Sequence, residues 1–199
     1  MTSHLDIGCG FTPRNPYGRD ELFGVDLAGA ASDSGPIRRA NLALHPIPFG
    51  DNCFDSVSAY DFLEHVPRVL PTADGQATRF PFIELMDEVW RVLLPGGLFY
   101  AVTPVYPSRA AFQDPTHVNI ITTGTHTYFT QPERLGAMYG YRGNFVLRRR
   151  PHLVKTMAGL DYAPVPQGLS GRLKVAHRNW RASRGSSAHI VWEFEAVKP

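Results

Sequence analysis

The run His4-Leu5-Asp6-Ile7-Gly8-Cys9-Gly10 constrains this chain more than any other stretch. A short apolar segment carrying one acid meets two glycines separated by a single residue. Such a segment reads as a buried strand that ends where the backbone must approach a ligand. Strands of a parallel sheet are covered on both faces, and ligands bind beyond their carboxyl ends. Glycine suits that edge because it tolerates positive φ and carries no Cβ.

The following residues extend the pattern. Pro13, Pro16 and Gly18 exclude a regular helix after the first strand. Glu21–Leu27, Ile37–Leu42 and Phe54–Tyr60 read as further strands. Phe82–Leu94 is the clearest helix, with Phe82, Leu85, Met86, Val89 and Leu93 on one stripe and Asp87 and Arg91 paired on the other side. Pro95-Gly96-Gly97 stops it before a buried strand, Leu98–Thr103. Pro132–Tyr139 reads as a second helix, and Gly143–Arg150 and Ala188–Val197 as a late strand pair. This order predicts an α/β fold, a Rossmann-like doubly wound sheet that is mostly parallel with late antiparallel strands. The first crossover helix is missing. With no repeat and no boundary signal, residues 1–199 are expected to form a single domain.

No apolar run approaches the ~20 residues that span a bilayer, and the opening residues enter a strand rather than a basic, apolar leader. Two cysteines, Cys9 and Cys53, cannot make a disulfide framework. A cytoplasmic protein is expected. The net charge of +2 conceals an asymmetry: residues 142–184 hold ten of the 20 Lys and Arg but one of the 18 Asp and Glu. That bias suits an anionic acceptor, or else is a solvated face balanced by the acidic first half. Gly171–Gly185 reads as a basic excursion of undefined structure.

The glycine turn fits two nucleotide motifs poorly. A dinucleotide fingerprint requires a third glycine where Pro13 stands, and Asp26 lies closer than the usual ~20 residues to the turn. A phosphate loop requires Gly-Lys-Ser/Thr, which is absent. Instead, Leu5-Asp6-Ile7-Gly8-Cys9-Gly10 resembles the first motif of class I S-adenosylmethionine-dependent methyltransferases, loosely their type 11 group. The likeness continues in order through Gly24-Val25-Asp26, Pro48–Val57, Phe62-Leu63-Glu64-His65-Val66 and Glu88–Gly97. It implies S-adenosyl-L-methionine as cofactor. Asp26 would hold the ribose diol, Gly8 and Gly10 would admit the methionine portion, and Asp6 would receive its amino group. Asn41 and Leu42 would meet the adenine, with asparagine where the family often has an acid. Leu27, Tyr60 and Asp61 complete the expected binding set.

Methyl transfer leaves a neutral thioether, so positioning the acceptor supplies much of the rate. A hydroxyl acceptor also benefits from a base, and histidine titrates near neutrality. Candidates follow the fourth and fifth strands: Asp61, Glu64 and His65, then Tyr106, Asp114 and His117. His117 is the first choice as general base and His65 the second, with Asp114 placed to orient His117 or to open a turn. A metal set of Asp114, His117 and His126 matches no known spacing, so no metal is expected. Gln113–Asn119 and the whole sequence resemble methyltransferase-like proteins of bacterial surface-polysaccharide pathways, which implies O-methylation of a small molecule or sugar. The rival readings are a cofactor-binding scaffold without turnover and an RNA methyltransferase. The lack of a target-base motif argues against nucleic acid. A homo-oligomer would compensate for the missing cover on the sheet.

Overall fold

The computed structural model describes residues 1–28, 35–155, 161–163, 168–186 and 188–199. In chain order its elements are β1 (Ser3–Ile7), β2 (Glu21–Asp26), β3 (Ile37–Arg39), β4 (Phe54–Tyr60), β5 (Leu70–Pro71), β6 (Thr78–Arg79), α1 (Pro81–Val92), β7 (Leu93–Pro104), α2 (Ala110–Gln113), β8 (Phe145–Val154), α3 (Gly168–Ala182) and β9 (His189–Ala196). Seven strands form one sheet in the order β3-β2-β1-β4-β7-β9-β8, and β5 and β6 make a small hairpin. The first five are mutually parallel. β9 runs antiparallel between β7 and β8. The order reverses at β1 and β4, so a crevice opens beyond their carboxyl ends, where open α/β sheets bind ligands.

Alternation along the strands gives the two faces different chemistry. Leu5, Ile7, Val57, Ala59, Phe99 and Ala101 join one core with Phe82, Leu85, Met86, Val89 and Val92 of α1. The opposite face carries a buried polar chain. His4 bonds Ser56 Oγ at 2.7 Å and Ser58 Oγ at 2.8 Å, and the Ser58 hydroxyl donates to Asp6 at 2.6 Å. The proline-rich loop covers this face in place of a helix. Its Arg14 N–H donates to Asp6 at 2.8 Å, and its Tyr17 hydroxyl reaches Glu193 at 3.2 Å. Tyr17 also packs edge-on against Tyr100. Pro13 contributes packing where a third glycine is absent: a Cβ added to Gly24 would stand 2.9 Å from the Pro13 ring and 2.5 Å from Cys9 Sγ.

Several elements differ from the sequence reading. The expected helix over 132–139 is a 3-10 turn, Leu135–Tyr139, entered through a left-handed Arg134 at φ 43°. Gly136 lies against the Tyr128 carbonyl there, where a Cβ would approach to 2.7 Å. The basic excursion is helical as α3. β3 ends at Arg39 because Asn41 opens a turn, its Oδ1 accepting the Ala43 N–H at 3.1 Å. α1 ends at Val92, and Leu93 is already extended and paired with Phe54. Leu94 precedes Pro95, a position that disfavours helix. Arg91 pairs with Glu88 and Asp51, both at 2.7 Å. Asp87 instead accepts the Arg142 and Gly143 N–H groups at 2.8 and 2.7 Å. On β8, Arg149 pairs with Glu193 at 3.0 Å and Arg148 with Glu195 at 3.5 Å.

Candidate active site

The turn after β1 is shaped by two left-handed glycines, Gly8 at φ 70° and Gly10 at φ 58°. The Gly8 N–H donates to the Val25 carbonyl at 2.8 Å. A Cβ on Gly8 would lie 2.4 Å from the Phe62 ring, whereas one on Gly10 would meet nothing within 4 Å. Gly10 N–H donates to Asp26 Oδ2 at 2.8 Å, and Ala28 N–H donates to Oδ1 at 2.8 Å. A carboxylate offers about four acceptor sites, so Asp26 keeps capacity for a diol after shaping the turn.

A cleft of about 440 Å³ brings together Gly8, Asp26, Leu27, Asn41, Leu42 and Asp61. Its chemistry suits S-adenosylmethionine: an acid with spare acceptors, the Asn41 amide, apolar walls and a glycine-lined edge. Gly10 is not in its lining, and two other expected members stand apart. Asp6 is 2% exposed, and its two oxygens accept the Ser58 hydroxyl and the Arg14 N–H on the face away from the cleft. Burial pushes its pKa up to about 7, despite those bonds. Tyr60 is buried under the Arg14 guanidinium, and its hydroxyl bonds the Asp161 carbonyl. Both point to the loop-covered face, which strand alternation dictates.

A second cleft of about 540 Å³ is lined by Asp61, Glu64, His65, Asp114, His117 and His189, among others. It shares Asp61 and His65 with the first. Asp61 takes a left-handed conformation, φ 48°, as β4 ends. Glu64 lies in the 3-10 turn Leu63–His65 and is 1% exposed. Its Oε2 accepts the Thr103 hydroxyl at 2.8 Å. Its Oε1 is buried without a hydrogen-bond partner and lies 3.9 Å from His117 Nε2. Burial raises the Glu64 pKa to about 7, against the pull of its hydrogen bonds.

The Glu64 carbonyl accepts the Val118 and Asn119 N–H groups, both at 2.9 Å, which pins the loop after β7 onto this turn. That pinning brings His117 beside His65, with ring centroids 4.7 Å apart. Asp114 is not the partner of His117. It takes the second role foreseen for it, accepting the Thr116 N–H at 2.8 Å and hydroxyl at 2.6 Å, and those bonds lower its pKa. Thr116 in turn reaches His65 Nδ1 at 2.9 Å. Tyr106 is half exposed and packs edge-on against Phe112. His126 lies in the 3-10 turn Thr125–Tyr128. Among the described residues, the grouping of possible metal ligands is Glu64, His65 and His117, not Asp114, His117 and His126.

His189 escaped the sequence reading. Its Nε2 lies 3.1 Å from Asp61 Oδ1. Burial works against its charge, but the hydrogen bond and charge of Asp61 outweigh burial and raise its pKa. The signal was topological: an antiparallel strand added beside β7 starts at the carboxyl edge, where His189 pairs with Pro104. A third cleft of about 790 Å³ gathers Arg109, Lys155, Lys174, His177, Arg178 and Arg181, among others.

Residues 5–101 match a family model described as a methyltransferase domain. No curated protein sequence matches the chain. Among solved structures, a candidate sarcosine dimethylglycine methyltransferase from Galdieria sulphuraria is 16% identical with a TM-score of 0.54, covering 100% of this chain and 78% of that one. Geranyl diphosphate C-methyltransferase from Streptomyces coelicolor, solved with Mg2+, geranyl diphosphate and S-adenosyl-L-homocysteine, is 18% identical with a TM-score of 0.51, over 99% and 73% of the two chains. An S-adenosylmethionine-dependent methyltransferase from Archaeoglobus fulgidus is 16% identical with a TM-score of 0.50, over 98% and 86%. Residues 5–101, just under half of the chain, thus match the methyltransferase domain family, and the whole chain shares its fold with S-adenosylmethionine-dependent methyltransferases.

Proposed function

We propose that this methyltransferase methylates a hydroxyl oxygen of a small anionic acceptor, with a sugar as the preferred class. The observation that carries this reading is the meeting of two clefts at Asp61, one suited to the cofactor and one lined by imidazoles and carboxylates. Bound S-adenosylmethionine supplies a methyl group on a positively charged sulfur. Asp26 accepts the ribose hydroxyls, the Asn41 amide meets the adenine edge, and the Gly8–Gly10 backbone borders the methionine portion. Asp6 and Tyr60 hold the loop that flanks the site. His117, backed by Glu64 and neighboured by His65, activates the acceptor hydroxyl. Asp114 fixes Thr116, and through it His65.

The anionic preference rests on the basic cleft between α3 and Arg109. No helix among the described residues is long and apolar enough to cross a membrane. A panel of neutral, uronic and phosphorylated sugars incubated with labelled S-adenosylmethionine tests the reading. Label transfer to an acidic sugar, abolished by His117→Ala and Asp26→Ala, is expected. Cofactor binding with no transfer to any acceptor would favour a scaffold instead. Transfer to RNA alone would replace the acceptor assignment.

A further inference from the structure

We infer that Glu64, His65 and His117 form a divalent transition-metal site at the floor of the acceptor cleft. Their ligand atoms lie within 4.8 Å of one another. Two donors about 2.1 Å from one ion stand roughly 3.0 to 3.5 Å apart, so small side-chain rotations bring the set to bonding distance.

Three features distinguish this grouping from an ordinary buried ion pair. His117 Nε2 and Glu64 Oε1 are 3.9 Å apart, too far for a hydrogen bond. Glu64 is 1% exposed, yet its Oε1 has no donor, while Oε2 accepts the Thr103 hydroxyl. A buried carboxylate oxygen without a partner is costly, and a cation facing it removes that cost. Finally, the three groups are fixed from outside. The Glu64 carbonyl holds the His117 loop through Val118 and Asn119, and Thr116 orients His65 through Nδ1. Hydrogen-bonded outer partners of this kind are what orient metal ligands.

The donor set selects the ion. Two imidazoles with one carboxylate suit Mn2+, Fe2+, Co2+ or Zn2+, whereas Mg2+ and Ca2+ favour all-oxygen sites. Three protein ligands leave positions open toward the cleft, as catalytic sites require. With the ion in place His117 would be its ligand and no longer the free base, and the ion's task would be to polarise the acceptor oxygen as a Lewis acid. That role rests on the transferase reading, whereas the site itself does not.

The test follows free Mn2+ by its electron paramagnetic resonance signal while MnCl2 is titrated into chelator-treated full-length protein. Uptake should saturate at one ion per chain, and ZnCl2 should displace it. Glu64→Gln and His65→Ala should each weaken uptake at least tenfold, whereas the exposed turn variant Asp74→Asn should stay within twofold. No saturable uptake, or equal uptake by the Glu64→Gln and His65→Ala variants, overturns the site. Calorimetry with S-adenosyl-L-homocysteine separates the two ideas. Cofactor binding without metal uptake removes only the ion site. Metal uptake without cofactor binding removes the transferase reading and leaves the ion site standing.

Discussion

Asp6 and His4 show how single residues set the pH behaviour of the fold. They share Ser58 as a hydrogen-bond partner on the loop-covered face. Burial raises the Asp6 pKa to about 7 and lowers that of His4 to about 3. The signs oppose. Between about pH 4 and 7 the unfolded chain releases the Asp6 proton while the folded chain retains it, so stability falls as pH rises. Between about pH 3 and 6.5 the unfolded chain binds a proton at His4 that the folded chain refuses, so stability rises with pH. Asp6→Asn removes the falling contribution. Glu64, whose pKa burial also raises, contributes with the same sign as Asp6 and remains in the variant, so urea unfolding from pH 4 to 6.5 should show a clearly more positive slope of stability with pH in Asp6→Asn than in the wild type. Equal slopes in both would place the Asp6 pKa near its ordinary value. The place of Asp26 at the cleft edge was legible in the sequence, because its spacing and neighbours resemble the family's. His189 was not, since nothing local marks a histidine 128 positions from the aspartate it meets.

Among the elements, the strands were the most legible. β1, β2 and β4 carry short apolar runs bounded by polar or glycine signals, and their buried faces follow from alternation. Leu85, buried at 2%, typifies the α1 stripe that seals this core. Leu85→Ala should cost about 2–4 kcal/mol in denaturant unfolding. Gly8→Ala tests the turn: positive φ and the Phe62 ring both oppose a Cβ, so a loss of about 2 kcal/mol or more is expected. A neutral result would mean that Phe62 yields freely and that the turn relaxes out of its positive φ. The Leu135–Tyr139 turn and α3 were the elements misread. A left-handed Arg134 has no sequence signal, and α3 lacks a strong apolar stripe, with only Gly171 and Ala182 buried. Tertiary packing decided the first, and the second holds its basic side chains outward around a cleft.

At the scale of the molecule, the residues after β9 tie the late strand pair to the end of α1 and the start of β7. Lys198 Nζ donates to the carbonyls of Arg91 and Leu93 at 3.0 and 2.5 Å, and to Asn52 at 2.6 Å. It also stands 4.6 Å from the centre of the Trp90 ring, whose N–H reaches the Val197 carbonyl. Lys198→Ala should lower stability by about 1–2 kcal/mol, read from the urea midpoint. The sheet places two clefts on either side of Asp61, and cofactor capture by the Gly8–Asp26 edge is the claim on which the whole account depends. Isothermal titration with S-adenosyl-L-homocysteine measures it directly. One molecule should bind per chain, and Asp26→Ala should weaken binding at least tenfold while the fold is retained. Absence of heat and of any thermal shift at millimolar ligand, or binding unchanged in Asp26→Ala, would contradict the account.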